Sequence, residues 1–212
     1  MYRSNLELMI GSNENILWRG KPNKKCFILE SIFNPMLPVA VFWGLIDIFF
    51  IGMTVAFNGG SEMLLFLLLF MLIHMMPVWI YIGGVLLSIR KYKHTEYMVT
   101  DKGIYVSGGA FSYTCEMKPF TDLAHINLHR GIFDQWLGVG DIISVCSHQS
   151  MTSSSSHSHA SHGISICDIE DYQKVFTMIK ELQTDIYSDT MYPNDLRPEE
   201  NHGYQTKYKK TL

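Results

Sequence analysis

The sequence predicts a membrane α-helical hairpin joined to a small antiparallel β-barrel or sandwich that one C-terminal helix caps. Three observations predict it. Two apolar runs, 36–57 and 64–88, lie back to back around a short glycine-bearing turn. Each supplies the about 20 mostly apolar residues that a helix needs to cross a hydrocarbon core. From His94 onward the helical pattern gives way to alternation broken by turn residues, the signature of short antiparallel strands. Between 168 and 182 an apolar stripe returns at helical spacing.

Composition sets the bounds. The 212 residues have room for one hairpin and one small soluble domain. Mean hydropathy is only +0.07, because a polar remainder dilutes the apolar runs. A net charge of −3 argues against nucleic acid as a partner, since phosphate binding wants a basic surface. Cys26, Cys115, Cys146 and Cys167 show no paired spacing, which excludes a zinc ribbon and a disulfide framework. In a cytosolic domain they stay reduced, as buried strand thiols. Residues 1–32 lack an apolar core ending in small residues, so the first span is expected to act as its own uncleaved insertion signal.

Residues 1–35 read as a cytoplasmic N-terminal segment, with a possible strand and turn at 14–22. Pro35 and Pro38 stand at the entry of the first span, where a missing N–H costs least. The turn 58–63 carries no Lys or Arg, whereas Arg3, Arg19, Lys21, Lys24 and Lys25 precede the hairpin and Arg90, Lys91, Lys93 and Lys102 follow it. This asymmetry places both termini in the cytoplasm of a multi-pass protein of the cell membrane. Asp47 and His74 interrupt the apolar runs, and antiparallel helices bring them level. Ionisable groups in lipid face a partner, so the pair is expected to hydrogen-bond inside the hairpin or an oligomer. Interhelical glue, worth about 1 kcal/mol, is the plainer reading beside a proton relay. Pro77 is expected to kink the second helix just after His74.

Strands follow at 95–100, 104–107, 111–118, 122–129, 141–146 and 163–167, with a short element at 133–136. The domain spans 94–185. Its closing helix, 168–182, aligns Tyr172, Val175, Phe176, Ile179 and Leu182 on one face, a stripe that plugs an open end of the sheet structure. The tail 186–212 lacks the apolar residues to order itself, and Lys207 to Lys210 in it could touch anionic lipid.

Glu14 to Pro22, the two-span hairpin and Tyr97 to Tyr105 together resemble the membrane-anchored bacterial pleckstrin-homology-like (PH-like) proteins, the DUF304 or YdbS-like group. Asp122 to Ile126, Leu137 to Ile142 and the closing helix extend the resemblance, which covers roughly 14–182. It implies a seven-stranded, helix-capped barrel at the cytoplasmic face, with no catalytic residues to carry over. Either residues 16–19 supply the first strand or the barrel starts at Thr95. The insert 147–162 departs from the pattern.

That insert holds His148, His157, His159 and His162, and imidazoles suit transition metals. A serine-rich run is a flexible linker rather than a rigid ligand frame, so no metal site is assigned and weak affinity is the most expected. His125 and His129 share a strand face, flanked by Asp122 and Arg130, without the orienting partner and cleft of a catalytic base. No serine sits in a nucleophile elbow and no glycine loop has phosphate-loop spacing. No enzyme activity and no cofactor are expected.

Two functions remain: a membrane-tethered module that binds another membrane protein or a second copy of itself, and a lipid-headgroup sensor. The second rests on Lys102, Lys118 and Arg130, few cations for a strong site. A third, weaker reading is oligomeric transport or proton relay through Asp47 and His74.

Overall fold

The structure is a computed structural model that describes residues 6–11, 14–57, 60–146 and 163–191. It divides into two units: residues 1–26 with 91–212, and residues 27–90.

The first unit is a two-sheet sandwich. β1 (Ile16–Gly20), β2 (Glu96–Thr100), β3 (Gly103–Gly108) and β4 (Thr114–Pro119) form one antiparallel sheet in sequence order. β5 (Leu123–His129), β6 (Gly140–Cys146) and β7 (Ser165–Ile169) form the other. β4 and β5 follow one another through a short turn, 120–122, yet share no ladder. The sheets therefore stay open, and of the two expected forms the sandwich is found; the closed barrel implied by the resemblance is corrected.

β1 answers the question of the first strand. It pairs with β2 across more than seventy intervening residues, Arg19 opposite Met98 and Gly20 opposite Tyr97. Polar contacts fasten it: Arg19 pairs with Glu96, the Tyr105 hydroxyl donates to Glu14 (2.9 Å), and Asn15 bonds the Asp101 carboxylate through its backbone (3.1 Å) and its amide (3.0 Å). β2 is buried along its whole length because both its faces are covered. Tyr97 and Val99 point into the main core, and Met98 packs with Leu6 and Tyr105 on the opposite face. The tight turn after β2 is fixed by the Thr100 hydroxyl, which accepts from the Lys102 and Gly103 amides. Gly103, which ends that turn, has no positive φ. It is needed because a Cβ there would collide with the Lys118 carbonyl oxygen across the ladder.

The element expected at 133–136 among the strands is a helix, α5 (Ile132–Leu137). (The helices α1 to α4 that precede it, described below, belong to the second unit apart from the start of α1 and the end of α4.) Asp134 accepts the Gly131 N–H (2.7 Å), closing its first turn, and Gly138 at φ 73° ends it. The closing helix, α6, runs Tyr172–Met191 rather than starting at Asp168. Asp168 is held back: it sits at φ 58°, its N–H donates to Asp141 (2.7 Å) and its carbonyl accepts from Asn23 (2.7 Å). α6 also continues into the range expected as tail. Val175, Ile179 and Leu182 of the expected stripe are fully buried, joined by Met178, with Tyr172 and Phe176 packed at the margin. They complete a core to which β2, β3, β5, β6 and β7 also contribute. The insert 147–162 and residues 192–212 lie outside the described residues.

The second unit is helical: α1 (Lys24–Ile32, which begins in the first unit), α2 (Met36–Ala56), α3 (Ser61–His74) and α4 (Met76–His94, which ends in the first unit). α2 is long and apolar enough to cross a membrane. The second apolar run is two helices that pass that test only together, bent by 51° at Met75. The expected kink is thus a break.

Candidate functional site

Three places in the fold concentrate polar chemistry or exposed apolar surface, and each is described within its own unit.

The first is the break in the helical unit. Pro77 has no N–H to offer the preceding turn, and the Val78 N–H turns to Met75 O (2.9 Å). Two indoles serve carbonyls at the break: Trp43 Nε1 donates to His74 O (2.9 Å) and Trp79 Nε1 to Leu72 O (3.1 Å). The break thus gives both tryptophans their hydrogen-bond partners. His74 Nδ1 lies 2.7 Å from Asp47 Oδ1, and the imidazole stacks between Trp43 and Phe70, with centroids at 5.3 Å from each. Asp47 is 1 % exposed, and its Oδ2 is buried without a hydrogen-bond partner. The structure therefore brings these two site residues together. A single ionisable pair, walled by rings, can hold helices in register, and no second group extends it into a chain among the described residues of α2, α3 and α4.

The second is the end of the sandwich where the chain passes into the helical unit. Asn23 caps α1, its Oδ1 accepting from the Lys25 (3.0 Å) and Cys26 (3.4 Å) amides. The buried Cys26 thiol donates to Asp134 Oδ1 (3.1 Å). Burial and the carboxylates of Asp134 and Asp168 push that thiol's pKa well above its ordinary value. Cys26, Asp134 and Asp168 place ligand-type atoms within 4.8 Å of one another. Metal ligation needs a thiolate, however, and here the protonated thiol is the donor that satisfies Asp134. The cluster works as a hydrogen-bonded junction. Arg130 locks the same corner from the other side, donating to Val139 O (2.9 Å) and Asp134 O (3.2 Å) while its guanidinium lies 4.9 Å above the Tyr172 ring. Beside it, an open groove of about 340 Å³ is lined by Trp18, Lys21, Lys24, Tyr92, Glu170 and Asp171 among others.

The third is the β4 edge of the four-stranded sheet. Among the described residues β4 has no partner strand on its outer side, and Met117 within it and Phe111 (79 % exposed) and Tyr113 just before it are exposed.

The other expected residues are dispersed. Lys102 and Lys118 lie near each other at the ends of β2 and β4, with Lys118 Nζ 3.7 Å from Glu116. Arg130 belongs to the other sheet and spends its guanidinium on α5, so the headgroup trio does not assemble. His125 and His129 are exposed on β5, with His129 opposite Asp141 in the ladder. His148, His157, His159 and His162 lie outside the described residues. Sequence reading missed the Cys26–Asp134 junction and the β4 edge. No local signal marks a contact between residues 108 positions apart, whereas the run from Phe111 to Tyr113 did carry exposed aromatics within a strand-like pattern.

Two packed antiparallel sheets of seven strands closed by a C-terminal helix define a PH-like domain. The family profile described as "Bacterial PH domain" matches residues 41–183, which is more than half of the chain, and the protein belongs to that family. The match begins inside α2 and leaves β1 outside it. Comparison with curated proteins and with solved structures gives no significant match.

Proposed function

We propose that this protein is a membrane-tethered PH-like interaction module. α2 and the bent α3–α4 pair cross the bilayer as a hairpin, both termini stay in the cytoplasm, and the sandwich binds a protein partner beneath the membrane, a second copy included. Catalysis is not part of this reading, in keeping with a family whose domains are interaction modules. Support for the tether comes from surface: only 11 % of the most apolar stretch of α2 is buried, so it lacks the cover of a soluble core helix. Thr54 and Ser88 return their hydroxyls to carbonyls four residues back, which satisfies them without water. Cations flank the hairpin and are missing from its turn.

The observation that carries the binding role is the β4 edge. An unpaired strand offers a row of backbone groups, and the exposed Phe111, Tyr113 and Met117 add apolar area for a partner strand or loop. A photo-crosslinking residue at position 111, in native membranes, is expected to give one discrete adduct. The same residue at Lys180, on the outer face of α6, is expected to give none. Equal adducts at both positions, or none at either, would contradict the binding role.

Headgroup binding is the second reading, and one observation favours it: Lys21 and Lys24 line the groove beside α1. Glu170 and Asp171 line the same groove and offset them. Replacing both lysines by alanine is expected to leave the lipid that co-purifies with the full chain unchanged; selective loss of anionic lipid would move the balance to this reading.

A further inference from the structure

α5 is held rigidly and yet shows its apolar face to solvent. Ile132 is 85 % exposed and Trp136 76 %, one turn apart on the same face of the helix. The opposite side is fastened by the buried Asp134, which accepts from Gly131 and Cys26, and by Arg130 through the carbonyls of Asp134 and Val139. A helix fixed this firmly presents its indole by design of the packing, not by local looseness.

We propose that α5 is an interfacial foot, whose Ile132 and Trp136 enter the headgroup layer of the bilayer. This inference rests on the membrane-tether reading. Three observations choose lipid over a protein partner. First, α5 is hydrogen-bonded to Cys26, the last residue of the sandwich unit before the chain passes into the helical unit. Ten positions separate Cys26 from Met36, where the first apolar run starts, and residues 27–32 among them are wound in α1, which shortens their reach to about 1.5 Å each. Second, the return path has no slack, because α4 ends at His94 and β2 begins at Glu96. A domain tied by connections this short stays at the membrane surface. Third, the chemistry matches an interface. Indole is apolar over most of its area with one N–H for the headgroup layer, and the exposed Lys24 and Lys25 beside Cys26 suit anionic lipid. The guanidinium of Arg130, turned inward, leaves the exposed face of α5 free of a competing cation.

The four tryptophans, Trp18, Trp43, Trp79 and Trp136, make the test internal to one sample. The full chain, labelled with 5-fluorotryptophan and placed in phosphatidylethanolamine–phosphatidylglycerol nanodiscs, gives fluorine resonances assigned by single Trp→Phe variants; Trp136→Phe alters an exposed side chain and keeps the fold. With a lipid carrying a gadolinium chelate on its headgroup, Trp136 should broaden more than Trp18. It should also be shielded from a water-soluble chelate. With a nitroxide deep in the acyl chain, Trp43 and Trp79 should broaden. If Trp43 and Trp79 respond while Trp136 behaves like Trp18, the foot is wrong and the tether stands. If Trp136 is shielded from water but insensitive to both lipid labels, a protein covers it and the foot is wrong. If Trp43 and Trp79 also ignore the acyl label, the tether itself fails and the foot with it.

Discussion

Cys26 shows how much a single side chain decides here. It stands where the chain leaves the sandwich, and its S–H fills one oxygen of a carboxylate that has no access to water. Cys26→Ala removes that donor and leaves a buried carboxyl oxygen without it, at a cost of about 1–3 kcal/mol, whereas Cys26→Ser keeps a donor and costs less. Denaturant titration of the two variants in detergent checks the order. Burial and the neighbouring carboxylates also hold the thiol protonated, so maleimide at mildly alkaline pH should leave Cys26 unmodified until the protein is unfolded. Tyr105 gives a pH window. Burial and the Glu14 carboxylate push its pKa up to about 12 from an ordinary value of 10.0. The neutral phenol is the form the fold favours, so its contribution is complete below about pH 10. It is lost as pH rises toward about 12, because the unfolded chain ionises first. Melting curves between these limits should fall less steeply for Tyr105→Phe than for the native chain. None of these partnerships was legible in the sequence: 91 positions separate Tyr105 from Glu14 and 108 separate Cys26 from Asp134. Asp47 and His74 were legible, because an ionisable residue stands out in an apolar run and the hairpin turn fixes which positions come level.

Elements were readable wherever a local pattern is self-sufficient. Helical stripes, strand alternation and turn residues placed α2, α6 and most of the strands. Pairing across the chain was not readable, and β1 is the example: its five residues suit a strand, but only Glu96, Tyr105 and Asp101, brought together by folding, choose its neighbour. α5 failed for the opposite reason, since six residues are too few to show a helical period and its caps, Asp134 and Gly138, read equally well as turn residues. Its stop should still be measurable. Gly138→Ala forces a side chain into the left-handed region and should cost about 1 kcal/mol. Ile179→Ala, in the middle of the buried stripe of α6, should cost about 3 kcal/mol by opening a cavity between helix and sheets. In the helical unit, Trp43→Phe takes away the indole donor of the His74 carbonyl and should lower the melting point of the detergent-solubilised protein by the equivalent of about 1 kcal/mol.

At the scale of the molecule, one fold family joins a sandwich, whose two sheets and closing helix need water outside them, to helices whose outer surfaces are apolar. The sandwich unit leaves a scatter of large apolar side chains exposed, Leu8, Met9, Ile16 and Leu128 besides those at α5 and by β4, whereas α2, α3 and α4 expose phenylalanine, leucine and isoleucine on many sides. The proposed function takes lipid as the cover of this second pattern, and every functional reading above depends on that premise. The most direct measurement is extraction of native membranes with alkaline carbonate, followed by high-speed sedimentation, with and without detergent. The full chain is expected in the pellet after carbonate and in the supernatant only after detergent. Release by carbonate alone would contradict the hairpin, and with it the tether that holds the PH-like domain at the membrane.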